Sequence, residues 1–273
     1  MTLVLRDLKR PGPALHGVLA GLARRIGEDT ANLADHPTVR IHDIRVSTKK
    51  IRSLLRLAGS QMAPEDRDAL VEDLQFIKNT FSGTRDDDVM RLRLQQAFSA
   101  ERAAKAMEKL GLARVEGPAD FVAAPAASAD LSSRLAALKL AGLTPELLVE
   151  NAAASYRRAR RLMRRCEKSP EDDRMHEWRK RVKDVCYHAM ALSTLPAMEE
   201  FARPLDALAE SLGEYHDLAL LGRRAVDHQK IAARVSAAKH KVGRRCFKAA
   251  GSVFRQSPSR FAAKLLRMVL SSH

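Results

Sequence analysis

The chain has 273 residues, enough for one large domain or two ordinary ones with a real core. Hydrophobic residues make up 45%, which excludes disorder as the main state. The formal net charge of +15 and a pI near 10.2 set so much self-repulsion that an anionic partner is expected: nucleic acid, anionic lipid or a polyphosphate.

The N-terminal MTLVLRDLKRPGP interrupts its short apolar run with Arg6 and Asp7, so it has no signal-peptide core. No apolar run approaches the roughly 18 residues of a membrane span. Cys166, Cys186 and Cys246 are widely spaced, with no CxxC pair, which fits a reducing compartment. A cytoplasmic protein is expected.

Helix formers dominate, and alternating β-branched runs are absent, so the fold class is all-α. In chain order, helices are predicted near 13–33, 38–59, 65–82 and 85–112, then 145–168, 172–194, 198–212, 215–252 and 258–271. Proline followed by an acid marks three of the starts, at Pro64-Glu65, Pro145-Glu146 and Pro170-Glu171. The Gly-, Pro- and Ala-rich segment 117–130 reads as a linker or crossing. The organisation expected is a first helical repeat at 13–113, a linker at 114–144, a second repeat at 145–252 and a C-terminal helix at 258–271. Each repeat holds the four helices of an up-down bundle. The last helix, with Phe261, Leu265, Leu266, Met268 and Val269, is amphipathic; packing onto the bundle is expected, with dimerisation or surface attachment as the alternative.

The halves echo each other. His42, Arg45 and Lys49 recur with the same spacing at His176, Arg179 and Lys183. Further on, Gly83-Thr84-Arg85-Asp86 is echoed by Gly213-Glu214-Tyr215-His216-Asp217, each read as a glycine turn opening the next helix. Two matches in the same order argue for an internal duplication.

The predicted helix IHDIRVSTKKIRSLLRL carries a basic stripe. His42, Arg45, Lys49, Arg52 and Arg56 fall within about 80° on a helical wheel, beside an apolar stripe of Ile44, Thr48, Ile51, Leu55 and Ala58. The second half repeats it with His176, Arg179 and Lys183, and Lys180 at its edge. A solvated helix usually alternates charge signs to gain i,i+4 pairs worth about 0.2–0.5 kcal/mol each; these stripes forgo them. They suit a chain of phosphates: arginine offers a planar fork of donors and lysine a compact charge. Histidine near phosphates is expected to be driven to its protonated form. On the preceding helix, Arg157, Arg160, Arg161 and Arg164 share a face and extend the basic surface, although part of that surface reads equally well as solvated.

HDIRVSTKKIRSLLRL followed by TRDDDV, and HEWRKRVKDVCYHAM followed by LGEYHDLALL, resemble the CHAD domain, a conserved-histidine α-helical domain, over roughly 13–250. The resemblance implies two four-helix bundles related by pseudo-twofold symmetry, with a basic surface and central pore that bind inorganic polyphosphate. It also implies an association with polyphosphate granules and, through them, with other granule proteins. Carried over by position, the ligand set is His42, Arg45, Lys49, Lys50, Arg52 and Arg85, then His176, Arg179, Lys180, Lys183 and His216. The second half departs from the pattern. Cys186 stands where the family usually has an arginine before the motif tyrosine, at the counterpart of Arg52, and Met190 stands at the counterpart of Arg56. The triphosphatase domain often fused before this family is not expected in the residues before position 13, so its catalysis is not carried over.

No enzyme, cofactor or metal site is expected. His42-Asp43 and His216-Asp217 suggest a metal phosphohydrolase of HD type, but the further ligands such a site needs have no recognisable spacing. Asp86-Asp87-Asp88 is better explained as acids stabilised in the first turn of a helix. Nucleic acid is expected only as a non-specific competitor. Aromatics are 4% and none interleave the basic stripes, so bases have no stacking platform.

Overall fold

The computed structural model describes residues 3–81, 85–112 and 124–271, with the side chains of 85–88 left out. The described residues form eleven α-helices and no strand. They are α1 (Pro11–Ala31), α2 (Pro37–Ala58), α3 (Pro64–Thr80), α4 (Arg85–Ala97), α5 (Ala100–Lys109) and α6 (Ala124–Ala137), then α7 (Pro145–Lys168), α8 (Asp172–Ala191), α9 (Pro196–Arg224), α10 (Gln229–Val253) and α11 (Pro258–Ser271). Among the described residues, no helix is long and apolar enough to cross a membrane.

Local chemistry sets most boundaries. α1, α2, α3, α7 and α9 open with proline in the first two positions, where its missing N–H costs nothing. Thr144 caps α7 by accepting from the Leu147 amide at 3.3 Å, and Glu146 adds a carboxylate at the positive end. α2 stops at Gly59, whose φ of 65° ends the helix in the left-handed region. A methyl there would come within 2.6 Å of three Asn151 side-chain atoms. That Asn151 amide donates to the Leu57 carbonyl at 3.0 Å and holds the end of α2 to α7.

Three predicted boundaries are corrected. The single helix at 85–112 is two, because Ser99 is extended and Arg234 takes the Ala97 carbonyl at 2.6 Å at the end of α4. The segment 114–144 is not only a linker: α6 lies within it and buries Leu131 and Leu135 completely. The turn expected at Gly213 is absent. α9 runs through it, and the break before α10 falls instead at Ala225–His228. The first motif's Gly83 and Thr84 lie outside the described residues, as do the side chains of Arg85, Asp86, Asp87 and Asp88.

Packing follows from these elements. α1 lies against α2 and α6, and α3 closes that group by touching both α6 and α2. α7, α8, α9 and α10 pack in succession, with α10 returning to α7 and α11 lying on α7. The two groups meet where α2 touches α8 and α7. There His188, fully buried, bonds the Ser53 carbonyl at 2.9 Å, and Ser53 donates to the Asp184 carbonyl at 3.2 Å. α4 crosses from the first half to the second and packs on α9 and α10. Arg93 fixes it there with two bonds to Asp217, at 2.8 and 3.2 Å, while Arg224 bonds the Leu110 carbonyl at 3.1 Å. One apolar cluster runs through both groups, and Trp178 and Tyr156 lie in it rather than on a binding surface. Phe261 of α11 stacks on Tyr156, with centroids 4.2 Å apart, which accounts for the apolar face of the last helix.

Candidate functional site

The meeting of the two helix groups opens a cleft of about 160 Å³ lined by Arg45 and Lys49 of α2, Arg179 of α8, and His216 and Asp217 of α9. Met90 and Val89 of α4 form part of its apolar wall. Residues far apart in sequence, from both helix groups, therefore share one site. Each is aimed by its helix. Arg45 donates to the Phe81 carbonyl at 2.6 Å, at the end of α3. The Arg179 guanidinium lies beside the backbone of Gly213, where an added methyl would sit 3.7 Å from Nε. Asp217, the acid in the cleft, is held by Arg93.

His216 stacks on His176 with centroids 4.1 Å apart and planes 27° from parallel. Burial pushes the His216 pKa down to about 3; the adjacent His176, then Arg179 and Arg223, push the same way. His176 is also lowered, by burial first and then by Lys180 and Arg179, with Glu177 opposing. Its Nδ1 is buried with no hydrogen-bond partner among the described residues. In the free chain both shifts favour the neutral rings. A polyanion in the cleft would supply the negative charge that favours the proton.

The other predicted residues are spread more widely. His42 is exposed on α2, a turn before Arg45. Lys50 faces the other way, toward Arg25 and Asp43; burial lowers its pKa and the Arg25 charge adds to the effect. Lys180 pairs with Glu177 at 3.3 Å, and Lys183 is half-buried near Cys186; neither lines the cleft. Arg52 and Arg56 lie farther along α2 in a second cavity, where Arg56 bonds Asp184 at 3.2 Å. Arg157, Arg160, Arg161 and Arg164 line a third cavity, of about 380 Å³, along α7. Arg160 there donates to the Phe254 carbonyl at 2.9 Å. The continuous stripe of the helical wheel is thus divided among separate openings.

Arg93, Arg158 and Arg181 belong to these sites but stand outside the sequence-derived set. Their partners are distant or their helix faces look ordinary, and only the basic composition around 156–165 and 179–183 hinted at two of them. Among the described residues, no group of three or more His, Cys, Asp or Glu side chains is placed to hold a metal ion.

The family model described as CHAD domain matches residues 18–226. A crystal structure of the CHAD domain from the plant Ricinus communis is similar at a TM-score of 0.56 and 17% identity, covering 97% of this chain and 94% of that one. At that identity the likeness shows the fold alone. No curated protein matches the chain.

Proposed function

Since the chain belongs to the CHAD domain family, we propose that it binds inorganic polyphosphate in the cleft between its two helix groups. One observation carries this: Arg45 and Lys49 from one repeat and Arg179 and His216 from the other line a single opening. Guanidinium forks match phosphate oxygens, lysine adds a point charge, and the stacked histidines become donors once a polyanion draws in a proton. We read the α1–α2–α3–α6 group and the α7–α10 group as the two four-helix bundles of the family, related by internal duplication. On this reading the cleft is the mouth of the basic pore between them.

The role is binding rather than turnover. A long chain reaches many donors at once, whereas orthophosphate reaches few, so affinity rises steeply with chain length. Attachment to polyphosphate granules in the cytoplasm follows as the cellular role, with the outer helix faces left for other granule proteins.

A binding isotherm with polyphosphate of defined length, repeated with competing duplex DNA and RNA, tests the proposal. The expected result is tight, salt-sensitive binding that nucleic acid does not displace at equal phosphate concentration. Displacement would mean a general nucleic-acid binder instead. The combined Arg45→Gln, Lys49→Gln and Arg179→Gln variant should lose about a hundredfold in affinity or more while keeping its helical circular dichroism. Normal binding by that variant excludes the cleft. Metal-dependent phosphate release from the chain, abolished by His42→Ala, would make the protein an enzyme instead.

A further inference from the structure

On the other side of α8 lies a larger cavity, of about 510 Å³, lined by Arg52 and Arg56 of α2, Arg158 of α7 and Arg181 of α8, with Arg67 of α3. It shares no lining residue with the cleft. Arg179 and Arg181 stand two residues apart on α8 and so point about 200° apart around it, one toward each opening.

The charges in this cavity are incompletely matched. Asp184, with 12% of its side chain exposed, accepts from both Arg56 and Arg181 at 3.2 Å. Glu177 also takes Arg181, and Asp68 takes Arg67 at 3.1 Å. Among the described residues, Arg158 reaches the Ser155 hydroxyl alone, at 3.0 Å, and Arg52 the Gln75 amide oxygen alone, at 3.3 Å. The Arg52 Nε is buried with no hydrogen-bond partner among the described residues. Burial first, then the neighbouring Arg56 charge at Arg52 and the Arg181 charge at Arg158, disfavours the cation at each, with Asp184 opposing.

Of these arginines, the negative end of α2 reaches Arg56 alone among the described residues. Asn151 takes the Leu57 carbonyl, Gly59 N–H the Leu55 carbonyl and Arg56 the Arg52 carbonyl. Five guanidiniums from four helices converge here, and the three carboxylates reach Arg56, Arg67 and Arg181 but not Arg52 or Arg158. A phosphate group, with three or more acceptor oxygens, can fill several together.

We propose that this cavity is a second oxyanion site, fitted to a compact phosphate-bearing anion and independent of the cleft at Arg45 and Arg179. The phosphate can come from a short free anion such as pyrophosphate, or from a segment of a long chain bound elsewhere on the protein. Thermal unfolding of the full chain with pyrophosphate, against potassium chloride at equal ionic strength, separates the two sources.

With a free anion, pyrophosphate raises the melting temperature of the unmodified chain and of Arg179→Gln alike. Arg158→Gln weakens pyrophosphate binding about tenfold, the loss of one charge-assisted contact. Asp184→Asn, which removes the carboxylate competing for Arg56 and Arg181, strengthens it. That gain is a signature that a purely structural role for these arginines does not produce.

If pyrophosphate is silent but Arg158→Gln lowers affinity for long polyphosphate, the occupant is a segment of the chain. If neither anion responds to Arg158→Gln, or if pyrophosphate protection is lost with Arg179→Gln instead, the second site is overturned. Either result leaves binding at the cleft to be judged by its own variants.

Discussion

α2 and α8 begin with the same His, Arg and Lys spacing and end differently. On α2 the basic flank continues through Arg52 to Arg56, because that flank keeps facing an open cavity up to the helix end at Gly59. On α8 it gives way to Cys186, 2% exposed, whose thiol lies 3.7 Å from the Leu205 carbonyl of α9. α8 is packed by α7, α9 and α2 together. No room is left there for a solvated cation. The basic residues persist on the helix flank that meets solvent and give way on the flank that is interior.

The largest test of this contrast is Cys186→Arg, which gives α8 an arginine at the counterpart of Arg52. It places a cation in a packed interior and should cost about 3–5 kcal/mol in urea unfolding. Tolerance of the arginine would mean that the flank of α8 is open after all.

Gly59→Ala comes next, at the end of α2. Its left-handed φ of 65° and the crowding Asn151 amide predict a loss of about 1–3 kcal/mol by the same measurement. Arg45→Gln with Lys49→Gln should weaken polyphosphate binding about tenfold more than Arg179→Gln with Lys183→Gln, since the first pair removes two cleft contacts and the second one. Equal losses would place Lys183 on the ligand.

The most gradual effect is that of pH. His216 has a pKa near 3 in the folded chain against an ordinary 6.5, so below 6.5 the unfolded chain takes up a proton that the folded one refuses. Stability of the free protein should therefore fall as pH drops from 6.5 toward 3, and His216→Gln should flatten that slope in denaturation curves. Polyphosphate affinity should move the opposite way, rising with acidification.

The six helices α1, α2, α3, α7, α8 and α11 were legible because prolines, first-turn acids or a clear apolar stripe mark them locally. α6 was not: Gly, Pro and Ala around 117–130 signal a linker, yet alanine is also the best helix former, and burial of Leu131 and Leu135 decides the matter. Gly213 misled because glycine is tolerated inside a long packed helix, while the true break at 225–228 contains neither Gly nor Pro. In the site, Arg45, Lys49, Arg179 and His216 could be read from repeat spacing. The division of the stripe among openings could not, because it depends on where α8 crosses α2. Nor could the Arg93–Asp217 pair, whose members belong to different halves.

That pair has a temporal consequence. α4 and α5 are synthesised early, but Asp217, Arg234 and Arg224, which hold Arg93, the Ala97 carbonyl and the Leu110 carbonyl, come more than a hundred residues later. Every helix of the α1–α2–α3–α6 group has been synthesised by residue 137. α4 and α5 must then wait, with Met90 and Leu94 still uncovered, until α9 and α10 arrive. The contacts that seat α4 thus become available only with the late half of the chain.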